Sequence, residues 1–72
     1  MPTVVTREAV LDTLRAYGTW ASIPEVADRL GGDRRAVARV VGQLLAVGVV
    51  VRSVVTADAR TTAPRGVYFR AV

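Results

Sequence analysis

Three helix-start signals and three glycine stops fall between Thr6 and Gly48, and this punctuation leaves the chain little freedom in what it can fold into. Thr6, Ser22 and Asp33 each stand just before a stretch of periodic apolar residues, and Gly18, Gly31-Gly32 and Gly48 each stand just after one. A short side-chain oxygen at the start accepts from an otherwise unpaired N–H of the first turn. Glycine at the end enters the left-handed conformation that closes a helix without a Cβ clash. The spacing predicts helices over 7–17, 23–30 and 34–47.

Each helix has a readable face. In the first, Val10, Leu11, Leu14 and Tyr17 make a stripe of helical period, and Val5 and Val10 stand at the spacing of a hydrophobic staple across Thr6. The second opens with Ser22-Ile23-Pro24-Glu25, a capping box with proline where its missing N–H costs little, and buries Ile23, Val26, Ala27 and Leu30. In the third, at about 100° per residue, Val37, Val40, Val41, Leu44 and Val47 turn to the core. Arg35, Ala38, Arg39, Gly42 and Ala46 turn to the opposite side, with Arg34 and Gln43 on the flanks. Small residues between guanidinium arms suit a helix that approaches another surface closely. Gly42 costs about 1 kcal/mol in mid-helix, which close approach would justify.

The remainder is β in character. Residues 49–56 and 67–72 have strand composition and the intervening stretch, with Asp58, Pro64 and Gly66, has loop composition. They predict a β-hairpin whose tip carries Arg60, Thr61, Thr62 and Arg65, and Phe69 is expected on its core side. Thr19-Trp20-Ala21 has the character of a brief strand, with Trp20 expected to plug the core. The fold class is therefore α+β, three helices with a C-terminal hairpin, as one domain over 1–72; a chain of this length buries only a thin core.

Composition narrows the chemistry. With no cysteine and no histidine, disulfides, thiolate or imidazole metal sites and catalysis built on either residue are excluded. The acids Glu8, Asp12, Glu25, Asp28, Asp33 and Asp58 lie mostly at helix starts or on wet faces, no pair has acid/base spacing, and Gly31-Gly32 is too short for a phosphate loop. No enzyme activity, cofactor, metal or small-molecule effector is expected. No apolar run reaches membrane-spanning length and the start lacks signal-peptide character, so a cytoplasmic protein is expected. The net charge of +4 is polarised: residues 1–31 sum to −1 and residues 32–72 to +5. All ten basic residues are arginine. A basic half of this kind points to a polyanion.

The order helix, short strand, helix, helix, hairpin resembles the winged helix-turn-helix domains of bacterial transcription regulators. The resemblance is sharpest over Ser22-Ile23-Pro24-Glu25-Val26-Ala27-Asp28-Arg29-Leu30-Gly31 and continues from Asp33 to Val50. It implies a positioning helix, a recognition helix and a wing, without the C-terminal dimerisation helix or effector domain that members often add. It further implies binding of double-stranded DNA at the nucleoid. The third helix would present Arg34, Arg35, Ala38, Arg39 and Gln43 to the major groove, the second-helix start at Ser22 would meet a phosphate, and Arg60, Thr61, Thr62 and Arg65 would follow the backbone or minor groove. The same fold also serves as a protein-docking module, as a homodimer, or as a low-specificity architectural DNA binder of phage type, and these stand as alternatives.

Overall fold

A computed structural model describes residues 4–55 and 66–72 of the chain. Helix α1 spans Arg7–Tyr17, α2 spans Ile23–Leu30 and α3 spans Arg34–Ala46; strands β1, Val50–Val55, and β2, Gly66–Ala71, follow as an antiparallel pair. This is the α+β arrangement of a winged helix with a C-terminal hairpin.

The caps act as their chemistry requires. The Thr6 hydroxyl accepts from the Ala9 N–H at 3.1 Å, the Asp33 carboxylate accepts from the Ala36 N–H at 3.1 Å, and the Ser22–Glu25 capping box is complete. Gly18 and Gly31 both take positive φ at the ends of α1 and α2. The end of α3 differs from expectation by one residue, and the difference matters. The helix stops at Ala46, and Gly48, at φ +81°, turns the chain so that its N–H donates to the Leu45 carbonyl and the Val49 N–H donates to the Leu44 carbonyl. This paired closure is a Schellman motif. Val47, the cap residue at the edge of the apolar stripe and beyond the last helical residue, was expected in the core and is instead 69% exposed.

One core unites the elements: Val10 and Leu14 of α1, Val26 and Ala27 of α2, Val37, Val40, Val41 and Leu44 of α3, Val50 of β1, Phe69 of β2, and Ala21. Val5, Leu11, Tyr17, Ile23 and Leu30 pack around it half-buried. The turn between α2 and α3 is closed from outside by the N-terminal segment. A Cβ placed on Gly32 would lie 2.7 Å from Val5 Cγ2, a separation that van der Waals packing forbids.

The hairpin register pairs Arg52 with Phe69, Val51 with Arg70 and Ser53 with Tyr68. Phe69 is buried on the core side as expected. Trp20 does not plug the core. It is 38% exposed, with the Arg70 guanidinium 5.5 Å from its ring centroid, and its small neighbour Ala21 takes the fully buried place. The reason is strand alternation: Ala21 bridges Phe69, so its side chain points inward and that of Trp20 points out. The expected brief strand at 19–21 is therefore reduced to this single bridge. β1 begins one residue later than the composition suggests, and β2 is displaced one residue towards the N-terminus. Among the described residues, no helix is long and apolar enough to cross a membrane.

Candidate nucleic-acid interface

Helix α3 carries two opposite surfaces. Val37, Val40, Val41 and Leu44 are buried, while Arg34, Arg35, Ala38, Arg39, Gly42, Gln43 and Ala46 are all exposed. The amphipathic period alone produces this division, and packing of α3 against both other helices fixes which way it turns. Around Gly42 a Cβ would meet nothing within 4 Å among the described residues, so this glycine answers no packing need of theirs.

Among the described residues, the arginines of α3 make no ion pair. Among the described residues the ion pair present is Arg15 with Asp12, at 3.9 Å on α1, and the two cation–π contacts use Arg29 over Tyr17 and Arg70 over Trp20. Arg34, Arg35 and Arg39 thus extend from one exposed face beside Ala38 and Gly42. A guanidinium offers a planar fork of donors that matches phosphate oxygens and the O6/N7 edge of guanine. With small residues between them, the arms reach past the helix surface while the backbone comes close.

Ser22 stands at the start of α2, inside the capping box expected there. Its hydroxyl donates to Glu25 Oε1 at 2.9 Å and its N–H donates to the same oxygen at 3.1 Å, while the Glu25 N–H donates to Ser22 Oγ at 3.4 Å. A carboxylate already occupies the anion position of this helix start, and a phosphate would have to compete with it. Tyr17 holds the same region to α1: its hydroxyl donates to the Glu25 carbonyl at 3.2 Å and its ring lies 4.9 Å below the Arg29 guanidinium. Arg60, Thr61, Thr62 and Arg65 lie outside the described residues.

One exposed cation escaped sequence reasoning. Arg52 lies in the middle of β1, opposite Phe69 and on the same sheet face, where the hairpin runs from buried Val50 to exposed Val54. The available signal was a lone charge inside Val-Val-Arg-Ser-Val-Val, at a position whose alternation with buried Val50 puts it on the helix-facing side of the wing. No cluster of three or more potential metal-ligating side chains occurs among the described residues. Comparison of the chain with models of protein families, with curated proteins and with solved structures finds no match.

Proposed function

We propose that this chain binds double-stranded DNA, with α3 lying in the major groove, and acts at the nucleoid as a transcriptional regulator. The observation that carries the proposal is the outward face of α3, where Arg34, Arg35, Arg39 and Gln43 are exposed around Ala38 and Gly42 with no internal ion pair among the described residues. The major groove admits one helix of this diameter, arginine pairs bidentately with guanine, and glutamine pairs with adenine. Some of the arginines would hold phosphates instead, which positions the protein without reading sequence. Arg52 joins the wing arginines Arg60 and Arg65 as a backbone contact. The excess of positive charge in residues 32–72 supports the same assignment.

The test is selection of bound duplexes from a random pool, followed by titration of the selected duplex at several salt concentrations. Binding to about five phosphates gives a log–log salt slope of −4.5. A recovered motif fits a regulator, and recovery of unbiased duplexes with a steep salt slope assigns a low-specificity architectural role. Lack of duplex affinity at low salt would reject the proposal and leave a protein-docking domain.

A further inference from the structure

The outward face of α3 changes character halfway along. At about 100° per residue, the direction opposite the mean of Val37, Val40, Val41 and Leu44 passes within about 30° of Arg35 and Arg39, then of Gly42 and Ala46. All four of these outward residues are exposed. Arg34 stands about 110° to one side of this line and Gln43 about 70° to the other. A helix in the major groove turns its midline to the base edges on the groove floor and its flanks to the phosphate walls. The floor under α3 would therefore meet two guanidinium groups and, beyond them, Gly42 and Ala46, which carry no side-chain donor or acceptor. Arg35 and Arg39 make no ion pair and no cation–π contact among the described residues, and α3 itself contains no acid.

Resting on the reading that α3 enters the major groove, we infer that the duplex it selects carries two adjacent guanines on one strand, one held by Arg35 and the next by Arg39, with the base pairs under Gly42 and Ala46 unread by hydrogen bonds. The choice of base follows from the guanidinium fork. Guanine alone offers two acceptors, O6 and N7, on its major-groove edge; adenine sets a donor beside its acceptor, cytosine offers a donor and thymine a single acceptor. The spacing follows from the rows of the helix. Arg35 and Arg39 are one step apart on a ridge, ~6 Å along the axis, and residues three or four apart on a helix in the groove reach successive bases. No acid stands on the midline to accept from cytosine and no amide to pair with adenine, so nothing there favours another base. Arg34, on the flank, holds a phosphate and adds affinity without reading sequence. The second half of the helix, with only Gly42 and Ala46 beneath it, lies close to the floor and keeps both arginine forks within reach.

Selection by the purified full chain from a random duplex pool is expected to return sites that share a guanine–guanine step. In a labelled duplex of the selected sequence, each guanine of the step is then replaced singly by 7-deazaguanine, which keeps its Watson–Crick pairing and lacks N7. Each replacement is expected to weaken wild-type binding about fivefold. Arg35→Ala removes the sensitivity at one guanine only, and Arg39→Ala removes it at the neighbour only. A guanidinium that served merely as a charge would lower affinity for all these duplexes alike and leave the pattern in place. Arg34→Ala is expected to behave in that way, keeping both sensitivities and reducing the salt slope by about one. Exchange of the base pairs beyond the Arg39 guanine, under Gly42 and Ala46, changes affinity less than about twofold. All three arginines are exposed, and melting curves confirm that each variant folds. Bound duplexes without a paired guanine, deaza effects that persist in both Arg35→Ala and Arg39→Ala, or effects that vanish in Arg34→Ala would overturn the inference while duplex binding itself stands. A chain with no duplex affinity at low salt would overturn both.

Discussion

The Ala21 N–H donates to the Phe69 carbonyl at 2.9 Å and the Phe69 N–H donates to the Ala21 carbonyl at 2.8 Å, so one residue between α1 and α2 serves as a third strand of the sheet. This bridge ties the hairpin to the helical body and decides much else. It aims Ala21 and Phe69 inward and Trp20 outward.

Among the described residues, Phe69 is the one large side chain the hairpin gives to the core, at 8% exposure. Phe69→Ala is expected to cost about 3 kcal/mol, a large share of the stability of so small a domain. Urea denaturation followed by circular dichroism measures it. A cost below about 1 kcal/mol would mean that the hairpin does not rest on the core as described.

The two helix-region glycines at 32 and 42 should respond in opposite directions. Gly32→Ala sets a Cβ against Val5 Cγ2 and is expected to destabilise by about 1–2 kcal/mol, with partial recovery when Val5→Ala is added. Gly42→Ala meets nothing and gains helix propensity, so it should stabilise by about 0.5–1 kcal/mol. Thermal melts of the three variants compare them directly. Gly42→Leu, with the same open space, should still fold yet weaken duplex affinity, because under the proposed binding the bulk would fall between α3 and the groove floor.

Arg35→Ala and Arg39→Ala are each expected to weaken duplex binding about tenfold while leaving the fold intact, since both side chains are exposed and neither has an ion pair among the described residues. Fluorescence anisotropy on a labelled duplex, with a melting curve for each variant, checks both halves of the statement. Unchanged affinity in the double variant would remove this face of α3 from the interface.

Trp20 is the sole tryptophan and lies under Arg70, which makes it a built-in reporter of the joint between sheet and helices. Arg70→Ala is expected to change the intensity and wavelength of tryptophan emission and to cost about 0.5–1 kcal/mol, the range of a partly exposed cation–π contact. Emission identical to wild type would place the guanidinium elsewhere in solution.

How far the fold was legible follows from where the information sits. The ends of α1 and α2 were readable because Thr6, Ser22, Gly18 and Gly31 act within a turn of themselves, through bonds such as Ala9 N–H to Thr6 Oγ1. The buried and exposed sides of α3 were readable because helical period alone separates Val37, Val40, Val41 and Leu44 from Arg35 and Arg39. Val47 was misplaced because period was carried one residue past the point where Gly48 and the Leu44 carbonyl close the helix. The occupied state of Ser22 could be anticipated from its own capping box, since the glutamate that completes the box is the anion that fills the site.

Local chemistry was sufficient, then, for the number of helices, their caps and the side of α3 that meets solvent, because each depends on contacts three or four residues apart. Which of Trp20 and Ala21 enters the core and which edge of the hairpin stays open depend on the pairing of Ala21 with Phe69, 48 positions later. No short-range pattern specifies that meeting. It exists only once the core has closed and brought the two segments within hydrogen-bonding distance.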